Sequence, residues 1–157
     1  MLDDSVYDEI IDEFGHKRAL AKALDEKLKR AQRLSHTTPG GLLRFIEDHW
    51  HILEPAREFV KGWALEAMCQ HLEAVSSGDI TRLLINVPPG SMKSLLVNVF
   101  FPAWEWGPMG KPHLKYLAFS YASHLTERDN QKMMDLILSR EYQRLYGHVF
   151  ALREKGK

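Results

Sequence analysis

Two apolar runs mark the second half of the chain, Leu83 to Val87 and Lys115 to Tyr121. The first run is nearly continuous rather than alternating, which is typical of a strand in a parallel sheet with helices on both faces. Residues 94–101 (SLLVNVFF) follow it and resemble the first turns of a buried helix. The pattern predicts an α/β fold in which a strand leads through a short loop into a helix.

The first 34 residues have the spacing of an amphipathic helix. Leu20, Leu24 and Leu28 lie four residues apart, and the outer face of the helix is basic, with Lys17, Arg18, Lys22, Lys27, Lys29, Arg30 and Arg33. A solvated helix packed on the domain is favoured here over a contact with a partner or with DNA. A break rich in small residues follows, so residues 1–38 are predicted to form a helical appendage and residues 39–157 the domain itself.

Further helices are predicted inside the domain, from Leu42 to Trp50 and from Glu58 to Val75. Pro102 is expected to kink or end the helix that begins at Ser94, because proline cannot donate to the preceding turn. After the second apolar run, Ser123 or Thr126 is expected to cap a helix. Asp129 follows Thr126 at the spacing of a capping box, although with Asp in place of Glu or Gln.

The loop between the first run and its helix has the composition of a phosphate-binding loop. Residues 82–94 read RLLINVPPGSMKS. Because proline carries no N–H, a cradle for phosphate would be formed by the backbone amides of Gly90, Ser91, Met92, Lys93 and Ser94. Lys93 would reach the β and γ phosphates, and the Ser94 hydroxyl would bind Mg²⁺. ATP and Mg²⁺ are therefore the expected ligands.

The loop departs from the Walker A pattern G-x-x-x-x-G-K-[ST] at two positions. Val87 and Met92 occupy the places of the two glycines, so only the Lys-Ser pair remains. A side chain at Met92 narrows the range of backbone angles open to the loop. On the motif alone, two interpretations are open: a nucleotide-binding loop, or an ordinary strand-turn-helix with an exposed lysine.

A longer stretch around the loop resembles a known family. INVPPGSMKSLLVNVFFPAWEW, preceded by HLEAVSSGDITRLL and followed by YLAFSYASHLTERDN, is similar to the N-terminal part of the large terminase subunit of tailed bacteriophages. The resemblance extends from about Leu43 to Gly147. It implies an ASCE-type P-loop ATPase domain that drives the packaging of double-stranded DNA into procapsids. It also implies a homo-oligomeric ring that works with a small terminase subunit and a portal protein.

The resemblance places an adenine-contacting segment around Gly62 and Trp63. Trp63 would stack on the base or serve as a core tryptophan, and the core role is favoured. Family members often have a histidine after this tryptophan, where this chain has Ala64. In a ring motor, Arg128 or Arg140 would act on the γ phosphate bound by a neighbouring subunit, although most arginines on helices are solvated or paired.

Two parts of the family's machinery have no counterpart in these residues. The resemblance implies that an apolar strand ending in an acidic, Mg²⁺-binding residue comes later in the chain, followed by a nuclease domain. No later apolar run in this sequence ends in Asp or Glu. In the family the two strands seen here are not neighbours, so they cannot satisfy each other's backbone groups. We therefore expect an incomplete ATPase domain from a truncated or split product, with catalysis uncertain. A non-hydrolysing nucleotide-binding or interaction module and a helicase-like ATPase are the alternatives.

The amino-acid composition excludes only a few of these possible functions. The chain has 157 residues, is 45% hydrophobic and has a formal net charge of zero, so any contact with DNA would need a local patch. A single cysteine, Cys69, excludes an intramolecular disulfide and fits a reducing compartment. Neither a signal sequence nor a membrane-spanning run is recognised, and the expected location is the host cytoplasm. The eight histidines form no recognisable metal-binding pattern.

Overall fold

The computed structural model describes the backbone of residues 4–150 and the side chains of residues 15–150. Helices account for most of this part of the chain: α1 Asp4–Thr37, α2 Gly41–Leu53, α3 Trp63–Ser77, α4 Lys93–Leu95, a π-helical segment Leu96–Phe100, α5 Phe101–Trp106, α6 Ser123–Leu138 and α7 Arg140–Tyr146. Backbone contacts divide the chain into two units, Met1–Leu34 and Ser35–Lys157. No helix within residues 4–150 has the length and apolar character needed to cross a bilayer.

The first unit is the greater part of α1, and the helix predicted there is confirmed. Leu20, Leu24 and Leu28 are all more than half exposed along it. Lys29 forms ion pairs with Asp25, at 2.7 Å, and with Glu26, one turn earlier on the same face. The helix continues to Thr37 and so passes the predicted break at residue 35.

The core of the second unit lies between α2, the π-helical segment, α6 and α7. Its largest fully buried side chains are aromatic: Phe45, Phe100, Tyr142 and Tyr146. Phe45 meets each of the other three rings with centroids 6.2–6.4 Å apart and in edge-on orientation. Aromatic pairs favour this geometry because the positive edge of one ring faces the negative face of the other. The amphipathic pattern of α2 therefore supplies the centre of the core.

Glycine and a carboxylate determine where α2 begins. Gly40 has φ +76°, and a Cβ on Gly41 would lie 2.2 Å from the His36 carbonyl oxygen, so a side chain does not fit there. The Glu73 carboxylate, on α3, accepts the N–H groups of Gly40 and Leu42 at 2.9 and 2.8 Å. These contacts satisfy donors that have no partner inside the helix, and they join α3 to the start of α2.

The predicted parallel-sheet P-loop fold is wrong for the described residues, which contain no strand. Residues 83–87 form neither helix nor strand and alternate regularly in burial: Leu83, Ile85 and Val87 pack against the core, while Leu84 is 93% exposed. Residues 116–121 are exposed throughout. Within the described part of the chain, neither segment forms a backbone hydrogen bond to the other. A strand is defined by its ladder of hydrogen bonds, so apolar composition without a partner does not make these segments strands.

The helix that follows the loop is longer than expected. α4, the π-helical segment and α5 run on without interruption from Lys93 to Trp106, so Pro102 does not end the helix. Pro102 is the second residue of α5 and lies two residues after the last residue of the π-helical segment, Phe100. The N-cap of α6 is Ala122, without a side-chain hydrogen bond, so the capping role predicted for Ser123 or Thr126 is also wrong.

Candidate functional site

The loop predicted to bind phosphate is a tight turn with two residues of positive φ. Gly90 has φ +85°, and Met92 is the only described non-glycine residue with positive φ, at +62°. A side chain in this conformation costs about 1–2 kcal/mol, a strain often found at functional sites. The Ser91 hydroxyl donates to the Pro88 carbonyl, and the Ser91 N–H points at the same oxygen at 3.4 Å. The Ser91 amide is therefore engaged inside the turn.

The other predicted cradle amides remain open in the described structure. The N–H groups of Gly90, Met92, Lys93 and Ser94 have no hydrogen-bond acceptor among residues 15–150. The first hydrogen bond that closes the following helix is donated by Leu96 to the Met92 carbonyl, at 2.8 Å. Free N–H groups at a helix N-terminus present partial positive charge, which favours a bound anion.

A cavity of about 450 Å³ opens over this turn. Residues 87–95 form one wall, and the remaining lining residues come from α2, the loop after it and α6: Trp50, Glu54, Arg57, Arg128, Asp129 and Lys132. With Lys93 the cavity has four cationic side chains and two carboxylates. Its surface is therefore net positive although the whole chain is neutral.

Asp129 holds the α6 side of the cavity to the helix that follows the loop. Its side chain is nearly buried and accepts a hydrogen bond from Asn98 Nδ2 at 2.9 Å. Arg128 donates to the other carboxylate oxygen through Nε at 3.0 Å and Nη2 at 2.7 Å. Asp129 was expected to take part in a helix cap, but it forms this buried contact instead.

Glu54 and Lys132 form an ion pair across the cavity, between the end of α2 and α6. The hydrogen bond from Lys132 lowers the pKa of the Glu54 carboxyl below its ordinary value. The side chains of Lys93 and Arg57 have no hydrogen-bond or ion-pair partner within residues 15–150, although the Arg57 charge also contributes to the lowered pKa of Glu54. Two of the four cations are thus restrained by carboxylates, and two are available to an added anion.

The predicted site residues are only partly brought together. Gly90, Ser91, Met92, Lys93 and Ser94 all line the cavity. Trp63 does not: it lines a separate cavity of about 250 Å³ beside residues 83–87. It is 82% exposed, so the favoured interpretation of Trp63 as a core residue is wrong. Val87 is the one residue common to the two linings within the described structure.

Sequence reasoning missed Arg57, Glu54, Lys132 and the position of Asp129. Arg128 was considered only for action on a neighbouring subunit, whereas it lines the cavity of its own chain. One signal was present, because Arg128 and Lys132 are four residues apart and therefore share a helix face. The same spacing occurs on solvated helix faces, so it does not by itself indicate a site.

Two groups that could carry chemistry elsewhere, Cys69 and His36, are buried. Cys69 is buried, and burial raises the pKa of its thiol to about 12, so a thiolate nucleophile is excluded. His36 lies in the core between Asp48 Oδ2, at 2.8 Å from Nε2, and the Tyr146 hydroxyl. No group of three His, Cys, Asp or Glu side chains in residues 15–150 is placed to hold a metal ion. The cavity over the loop brings the predicted loop residues together with cationic side chains and is therefore the candidate site.

The chain matches no protein-family model, no curated protein and no solved structure.

Proposed function

We propose that this protein binds ATP with Mg²⁺ through residues 90–94, as the N-terminal ATPase portion of a phage DNA-packaging terminase large subunit. The observation that carries the proposal is the cavity over the loop. It combines open backbone amides, the unpaired Lys93 side chain and three further cations from elsewhere in the chain. Polyphosphates are recognised by this combination of amide donors and cationic side chains.

The residues present fit such a ligand in named roles. The amides of Gly90, Met92, Lys93 and Ser94 would donate to phosphate oxygens, and Lys93 would neutralise the β and γ phosphates. The Ser94 hydroxyl makes no hydrogen bond within residues 15–150, so it is available as a ligand for Mg²⁺. The metal would neutralise phosphate charge when bound. Trp63 enters this site only if the base extends beyond the cavity, towards residues 83–87.

The wider role follows from the resemblance and belongs to the same proposal. In the host cytoplasm the motor would form a homo-oligomeric ring, receive double-stranded DNA with a small terminase subunit, and deliver it through a portal protein. A second concentration of positive charge lies on α1, where residues 15–34 contain seven lysine or arginine residues and two aspartate or glutamate residues.

A non-hydrolysing nucleotide-binding module is the second candidate, and one observation favours it. Hydrolysis needs a carboxylate that is free to orient water. Both carboxylates of the cavity are already engaged, Glu54 by Lys132 and Asp129 by Arg128 and Asn98. If the protein is an ATP-hydrolysing packaging motor, the carboxylate that orients the attacking water would come from outside the described residues.

Binding of labelled ATP to the purified chain, with and without Mg²⁺, tests the proposal. We expect Lys93→Ala to weaken retention at least tenfold, because a charge-assisted contact to phosphate is lost. Lys61→Ala is the matched control, since Lys61 is an exposed lysine paired with Glu66 outside the cavity. Equal retention by wild type and Lys93→Ala would contradict nucleotide binding at this loop. Chromatography of the retained nucleotide then separates the two candidates, because only a hydrolase converts ATP to ADP.

A further inference from the structure

Helix α6 contributes two cations to the cavity over the loop. Arg128 and Lys132 are four residues apart and thus adjacent on one helix face. Both line the cavity that Lys93 also lines. The cavity is therefore cationic on two sides, of which the loop supplies only one.

Each α6 cation is held in position by a carboxylate. Arg128 is fixed by two hydrogen bonds to Asp129, which Asn98 anchors to the helix following the loop. Lys132 is paired with Glu54, and the two side chains are only 28% and 22% exposed. A pair this shielded from water interacts more strongly than a fully exposed one. The positions of the cations are thus determined before any ligand arrives.

The carboxylates of Asp129 and Glu54 differ in how firmly the surrounding residues hold them. Asp129 is buried and holds two partners, so it remains in place when an anion approaches Arg128. Within the described residues the Glu54 carboxylate accepts a hydrogen bond only from Lys132, and Glu54 lies at the end of α2. An anion that contacts Lys132 therefore competes with the Glu54 carboxylate for the same ammonium group.

We propose that Arg128 and Lys132 contact the distal phosphates of a nucleoside triphosphate, and that Glu54 competes with those phosphates for Lys132. This inference rests on the proposed function, because it concerns the same cavity. Lys93 and the loop amides contact the phosphate chain from the loop, and Arg128 and Lys132 add contacts to its distal phosphates from α6. A monophosphate satisfies the loop alone, so the α6 cations make the cavity selective for triphosphates over monophosphates.

A purely structural ion pair would behave differently. If the Glu54–Lys132 pair only joined α2 to α6, removing either charge would loosen the cavity and weaken binding in both cases. Competition predicts opposite signs: loss of Lys132 removes a phosphate contact, whereas loss of the Glu54 charge frees Lys132 for the ligand. The sign of the Glu54 effect therefore distinguishes the two roles.

Calorimetric titration of the whole chain with ATP, AMP and inorganic triphosphate tests the inference. We expect K132Q and R128Q each to weaken ATP and triphosphate binding about tenfold and to change AMP binding less than twofold. E54Q should tighten ATP and triphosphate binding about threefold to tenfold, and K132R should restore most of the affinity lost in K132Q. E66Q and K61Q alter an ion pair of the same kind outside the cavity and should change no affinity.

A thermal unfolding transition for each variant shows whether that variant is folded. If K132Q is not folded, the conservative variant K132R still allows the role of Lys132 to be tested. A weaker affinity for ATP in E54Q, or an unchanged ratio of ATP to AMP affinity in both K132Q and R128Q, would overturn this inference. If those results appear while Lys93→Ala abolishes binding, nucleotide binding at the loop stands and only the α6 role falls. If wild type binds no phosphate ligand at all, both proposals fall together.

Discussion

Acid should destabilise the second unit through one buried histidine. His49 is 1% exposed, donates from Nδ1 to the Phe45 carbonyl at 2.8 Å, and has no hydrogen-bond partner for Nε2 within the described residues. The rings of Phe45 and Tyr142 pack around it, with centroids 4.4 and 6.2 Å away. Burial lowers the pKa of His49 from 6.5 to about 4, because this apolar site does not solvate an imidazolium.

The sign and size of the effect follow from proton linkage. Below pH 6.5 the unfolded chain binds a proton at His49, and the folded chain does not bind it until about pH 4. Stability is therefore lost as the pH falls from 6.5 towards 4, by about 1.4 kcal/mol per pH unit and about 3 kcal/mol in total. The hydrogen bond from His36 lowers the pKa of Asp48 below 3.8, so stability due to Asp48 is lost only below this window.

Urea unfolding followed by circular dichroism at pH 7.0, 6.0, 5.0 and 4.5 measures the slope. His49→Asn keeps a donor for the Phe45 carbonyl but removes the titrating group, so the pH dependence of its unfolding free energy should be flatter than that of wild type. His71→Asn is the matched control, because His71 makes the same bond to Ala67 one turn earlier at 2.7 Å but is exposed. Equal slopes for wild type and His49→Asn between pH 6.5 and 4.5 would refute the reasoning.

Two further substitutions probe close packing and a buried network through the urea midpoint at neutral pH. Gly107→Ala should cost about 1–3 kcal/mol, because a Cβ would lie 2.5 Å from the Tyr142 hydroxyl, which is buried and bonded to a backbone carbonyl; an unchanged midpoint would show that the ring moves freely. Glu105→Gln should also cost about 1–3 kcal/mol, since this buried carboxylate accepts from Ser76 Oγ at 2.7 Å and from Lys111 Nζ at 3.3 Å. A loss below 0.5 kcal/mol, the range of ordinary surface changes, would contradict a role for this network in holding residues 111–116.

The helices were the part of the fold that local pattern predicted well. α2 covers the predicted Leu42–Trp50, and the helix after the loop begins at Lys93, one residue before the expected Ser94. The helix expected from Glu58 begins only at Trp63. Spacing of apolar residues reports which face of a helix is buried, and this information is local to each segment.

The candidate site was predicted only in its contiguous half. The positive φ at Gly90 and the open amides that follow it belong to a motif that can be read from neighbouring residues. Arg57, Lys132 and Glu54 have the spacing of ordinary surface charges, and nothing local connects them to Lys93. Asp129 was assigned to a helix cap from its spacing to Thr126. Its contact with Asn98 could not be predicted, because it depends on how α6 packs.

The sequence by itself determined where helices form and where the chain turns with a lysine and a serine at the start of a helix. Only the tertiary structure decided that the two apolar runs form no sheet, because a strand needs a partner for its backbone groups and composition does not supply one. It also decided that α6 faces the loop, since charges distant in sequence become neighbours only when helices pack around a common core.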